Sequence, residues 1–105
     1  MTMDNVKVKK QANIYHQGNV TSRSIITATG EMKSLGIMLP GIYHFSTEAA
    51  ESMEILQGQC RVKPQHKADW QDYGTGDTFE IPANSHFEIE VIELLDYLCH
   101  FDSTL

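Results

Sequence analysis

His44, Glu51 and His86 are the side chains whose types could do chemistry together. Two imidazoles and a carboxylate can hold a transition metal, or can move protons without one. A catalytic zinc, iron or manganese site takes three protein ligands and keeps one position open. In HFEIEVI, residues 86–92, alternation turns Phe87, Ile89 and Val91 to one face and His86, Glu88 and Glu90 to the other. The apolar set should face the interior, which puts His86 outside, one residue out of phase with an inward ligand. His44 and Glu51 then supply two ligands where three are needed. Cys60 and Cys99 are the only cysteines; they lack CxxC spacing, each sits in an apolar alternating run, and they read as reduced core thiols.

The elements that must position these groups are short apolar runs: Val20 to Ile26, Leu35 to Leu39, Ile42 to Phe45, Met53 to Leu56, Cys60 to Val62, Thr78 to Ile81, His86 to Ile92 and Leu95 to Phe101. Turn residues separate them at Thr29-Gly30, Pro40-Gly41, Gln57-Gly58, Tyr73 to Gly76 and Pro82 to Asn84. Alternation of period two within such runs predicts an antiparallel all-β fold. The helix candidate TEAAESMEIL, residues 47–56, is short and lacks a C-terminal cap, so it reads as a loop or single turn running into a strand. Tyr97, Cys99 and Phe101 share one face of the last run. Leu98, on the opposite face beside Leu94, would leave apolar area exposed in a monomer and points to packing between subunits.

With 105 residues there is room for one core, expected over residues 15–105 behind a polar lead-in at 1–14. The formal net charge is -6 and the basic residues are scattered apart from Lys7, Lys9 and Lys10, so no stripe could track a nucleic-acid polymer. The opening MTMDNVKVKKQANIY has no uninterrupted apolar segment, which argues against a signal peptide or a membrane span and for a cytoplasmic protein.

Two spacings resemble those of the small cupin barrel. Its first half carries His-x-His, a Glu three or four residues on, then a glycine after six more; Glu51 and Gly58 keep the last interval. The histidine pair falls on His44 and Ser46 with the longer spacer, or on Phe45 and Thr47 with the shorter. The second half has a glycine, five residues, then Pro-x-Gly-x-x-His. Here Gly76 and Pro82 match, Asn84 replaces the glycine and Phe87 replaces the histidine. The expectation is an all-β, single small cupin (RmlC-like) β-barrel or jelly roll without a bound metal or other cofactor.

Within the cupins, the chain resembles the pyrimidine/purine nucleoside phosphorylase family. The residues that carry the resemblance are YHQGNV (15–20) followed by Ser22, LGIMLPGIYHFST (35–47), ESMEILQG (51–58), WQDY (70–73), GDTFEIP (76–82), SHF (85–87) and YLC (97–99), in that order. The family usually shows Phe-x-Gly-Lys-Val where this chain has His16 to Val20, so no lysine role transfers to Asn19. The resemblance implies a homodimer that converts purine and pyrimidine nucleosides with inorganic phosphate to free base and α-ribose 1-phosphate, with broad specificity.

Phosphorolysis builds positive charge on the ribose and negative charge on the departing base. On this reading Glu51 grips ribose hydroxyls or steadies the sugar cation. Phe45, Phe87 and Tyr97, inward by parity, stack on the base, and a π face accepts any base. Thr47 and Ser85 offer hydroxyls to phosphate or sugar. His44 is the candidate proton donor to the base, although its parity opposes Phe45. Arg61 is the candidate phosphate ligand, with its strand phase after Gly58 open. Two other classes stand beside this one: a non-catalytic sugar- or nucleotide-binding cupin, and a metal-dependent cupin enzyme.

Overall fold

The computed structural model describes residues 2–102. Met1 and residues 103–105, the outer ends of the expected lead-in and domain, lie outside the described residues. Nine strands follow one another: β1 (Lys7–Val8), β2 (Asn13–Tyr15), β3 (Val20–Ile26), β4 (Met32–Met38), β5 (Gly41–Ser46), β6 (Ala50–Pro64), β7 (Gln71–Gly74), β8 (Thr78–Ile81) and β9 (His86–Asp102). β1 and β2 fall within or across the expected lead-in and pair with β3. The candidate helix at 47–56 is strand from Ala50 onward. Among the described residues no helix is long and apolar enough to cross a membrane.

All pairings are antiparallel, and the all-β expectation holds. The closed cupin barrel or jelly roll does not. The strands form one open sheet in the order β1-β3-β4-β9-β6-β7, with β2 on β3, β5 on β9 and β8 on β6. Closure would require a backbone ladder joining the β5 edge to the β2–β3 edge, and none occurs among the described residues. At that seam side chains meet in place of paired backbone: Tyr15 of β2 packs on Phe45, and His16 of the following turn on Tyr43 and Phe45.

Two long strands organise the sheet. β9 pairs with β6 over its whole length, from Ala50↔Asp102 to Pro64↔Phe87. Its other edge takes β5 along residues 86–91 and β4 along residues 95–100. β6 likewise takes β8 near its start and β7 near its end. The expected break at Gln57-Gly58 is a series of register shifts inside β6, between Ile55 and Cys60. Gly58 makes this possible: its φ is +113°, and a Cβ there would lie 2.3 Å from the Leu94 carbonyl oxygen.

The bend gives the sheet two halves that share β6 and β9, and one core takes side chains from both. Val20, Ile55, Ile81, Ile89, Leu95 and Val62 are all essentially inaccessible. Each such side chain contributes about 1.5–3 kcal/mol through burial. Cys60 and Cys99 are buried free thiols, as expected. Leu98 departs from expectation: it is only 9% exposed, whereas Leu94 is 46% exposed.

Candidate functional site

A cavity of about 160 Å³ lies among the inward residues of β3, β4, β5, β6 and β9. Phe45, Phe87 and Tyr97 give it aromatic walls, and Glu51 gives it a carboxyl. Parity explains the placement. Phe45 and Phe87 are paired across β5 and β9, Gly36 and Tyr97 across β4 and β9, and Glu51 and Phe101 across β6 and β9. The Phe45 and Phe87 rings lie 5.7 Å apart, tilted by 32°. Ligand pockets for drug-sized molecules run about 300–1,000 Å³. This hollow therefore suits a single ring system, with the rest of a larger ligand toward its mouth.

Two polar chains cross the cavity wall. Asn13 Nδ2 donates to Ser22 Oγ at 3.2 Å, and Ser22 is in hydrogen-bonding contact with the Tyr97 hydroxyl. Tyr97 reaches Ser22 by lying across Gly36, where a Cβ would sit 2.6 Å from the phenolic oxygen. The glycine is thus what lets the ring lie flat against the sheet. In the second chain, Ser34 and Glu51 both contact the Cys99 thiol, which donates to the carboxylate.

Burial controls the electrostatics. It raises Glu51 above the ordinary carboxylate value, and the Cys99 hydrogen bond pulls it only partly back. Burial also raises Tyr97 and, reinforced by the Glu51 charge, Cys99. These side chains are thereby biased toward their neutral, proton-bearing forms. Among the described residues no Lys or Arg lines the cavity.

Beside the cavity, His16 (φ +49°), Gln17 (φ +61°) and Gly18 (φ +93°) form a left-handed turn. Such backbone at a non-glycine residue costs about 1–3 kcal/mol. It is held by the Asn19 N–H donating to the His16 carbonyl at 3.2 Å, and by the Leu39 N–H donating to the Asn19 carbonyl at 2.8 Å. The turn sets the His16 ring 5.0 Å from Tyr43 and 5.1 Å, edge-on, from Phe45. Tyr15, which lines the cavity, meets Phe45 edge-on at 6.4 Å.

The structure brings Glu51, Phe45, Phe87 and Tyr97 together and places the other expected residues elsewhere. His44 is exposed on the outer face, its ring 5.1 Å from that of His86. Arg61 Nε donates to Glu90, and the guanidinium lies 4.8 Å over the Trp70 ring. Thr47 is buried, with Oγ1 donating to the Pro82 carbonyl at 2.7 Å and accepting the Ser85 N–H at 3.1 Å. It fastens the end of β5 to the turn before β9. Ser85 Oγ donates to Gln65 at 3.2 Å. Ser22, Ser34 and Tyr15 line the cavity without having been expected there. The inward parity that Ser22 shares with Val20, and Ser34 with Met38, is the signal that could have found the two serines.

Fold and cavity together define an all-β domain with an internal hollow of small-molecule size, walled by rings and holding one carboxyl. The family described as pyrimidine/purine nucleoside phosphorylase matches residues 10–101. A pyrimidine/purine nucleoside phosphorylase from Cupriavidus taiwanensis is 48% identical over 94% of this chain and 94% of that protein. One from Paraburkholderia xenovorans is 44% identical over 93% and 92%. The crystal structure of a protein of unknown function from Acinetobacter sp. ADP1 superposes with a TM-score of 0.93 at 38% identity, covering 96% of this chain and 98% of that one. The chain belongs to the pyrimidine/purine nucleoside phosphorylase family.

Proposed function

We infer that this protein cleaves purine and pyrimidine nucleosides with inorganic phosphate, releasing the free base and α-ribose 1-phosphate. Family membership across residues 10–101 carries the reading. A phosphate oxygen bonds to the anomeric carbon as the carbon–nitrogen bond to the base breaks, and the bonding pair leaves with the base. The base stacks on the cavity-facing ring of Phe45, beside Phe87 and Tyr97, a contact that does not depend on base identity and fits broad specificity. Glu51 supplies the proton that the departing base requires. Among the described residues it is the one carboxyl lining the cavity, and burial raises its pKa from the ordinary carboxylate value. The hydroxyls of Ser22, Ser34 and Tyr97 are the donors offered to ribose or phosphate oxygens.

The same reading takes the protein as a cytoplasmic homodimer that binds neither nucleic-acid polymer nor membrane. Two buried free thiols fit a reducing compartment, and a net charge of -6 opposes a phosphate polymer. The test is base release from inosine and uridine, with and without inorganic phosphate, after chelator treatment. Phosphate-dependent release of hypoxanthine and uracil is expected. Equal release without phosphate would make the protein a hydrolase, and binding without release would make it a binding module.

A further inference from the structure

The sheet is open where β5 faces the β2–β3 edge, and side chains cover that seam in place of a backbone ladder. The covering residues are unusual in two respects. His16 and Gln17 hold left-handed backbone although neither is glycine, and His16 is exposed, so hydrophobic burial does not account for the strain. What the strained turn achieves is placement of two rings. Tyr15 enters the cavity wall, and His16 packs behind it on Tyr43 and Phe45. Tyr43 is itself fixed, buried and donating to the Leu39 carbonyl at 2.7 Å. Phe45, by contrast, is only half-buried and faces the cavity, and of the four rings packed on it, Tyr15, His16, Tyr43 and Phe87, the His16 ring is the nearest at 5.1 Å.

We propose that His16 is a positioning residue for base recognition: its ring, clamped between Tyr43 and Phe45 by the left-handed turn, fixes the Phe45 face on which a heteroaromatic base stacks. The inference rests on the nucleoside reading of the cavity. It does not make His16 a proton donor, since the imidazole does not line the cavity. Ring shape is therefore the property that matters, and a phenyl ring should serve equally well. A purine overlaps more of the Phe45 face than a pyrimidine does, so loss of the support should weaken purine binding more.

The experiment compares wild type, His16→Ala and His16→Phe in two measurements. One is steady-state phosphorolysis of inosine and uridine; the other is calorimetric binding of hypoxanthine and uracil, which does not need turnover. For His16→Ala, KM for inosine and Kd for hypoxanthine should rise about threefold to tenfold, in line with the strength of one aromatic pair. kcat should stay near wild type, uridine and uracil should be affected less, and His16→Phe should restore all values. Unchanged KM and Kd in His16→Ala overturn the proposal, as does a fall in kcat alone or a failure of His16→Phe to rescue. Wild-type protein that binds neither base also overturns it. Wild-type protein that binds base but shows no phosphate-dependent release defeats the phosphorolysis reading alone.

Discussion

Glu51 is the cavity's carboxyl, and its environment couples activity to stability in opposite directions. In the unfolded chain it ionises near its ordinary value of 4.5; in the folded chain burial holds the proton to higher pH. Between those two values the folded state binds more protons than the unfolded state, so this group makes stability fall as pH rises through the window and level off above it. Glu51→Gln removes the ionisation and still accepts the Cys99 hydrogen bond. Thermal melts should show the variant at or above wild type at pH 7, with the difference vanishing at pH 4. Phosphorolysis should drop about 100-fold, the contribution expected of a general acid. A variant that keeps its rate would remove Glu51 from the chemistry. Parity and spacing made Glu51, Phe45, Phe87 and Tyr97 legible as a group. Ser22 shares the inward parity of Val20 and was readable in the same way, but Tyr15 was not: it reaches the cavity by meeting Phe45 in space, a relation that alternation along one strand does not encode.

At the scale of elements, glycines settle where strands bend and where rings can lie. Gly58 combines a φ of +113° with a neighbouring carbonyl at 2.3 Å from any added Cβ. Gly58→Ala should therefore lose about 2–4 kcal/mol from backbone strain and overpacking together, measurable by urea denaturation. If it unfolds at the wild-type midpoint, the bend does not depend on glycine. The same residue shows why strand limits were only partly readable. β3 was legible residue for residue because Thr29-Gly30 is a true turn after it, whereas Gln57-Gly58 carries the same kind of signal but is a bulge within β6. Leu95 to Phe101 likewise joins His86 to Ile92 in one strand, since pairing with β6 along its full length overrides the polar interruption at Glu93.

For the molecule as a whole, Ile14, Ile42, Ile92 and Leu94 remain 46–66% exposed, and the proposed homodimer would cover apolar surface of this kind. Sedimentation equilibrium should give close to twice the 11.9 kDa chain mass; a monomer at micromolar concentration would refute the homodimer. The full-length pairing of β6 with β9 also has a kinetic side. Because Ala50 meets Asp102 and the intervening chain supplies β7 and β8 to the far edge of β6, the central ladder cannot form from a local hairpin. Loop-closure entropy must be overcome before its longest contacts reward it. For so small a chain, refolding belongs to the slow, millisecond-to-second regime of non-local β topologies.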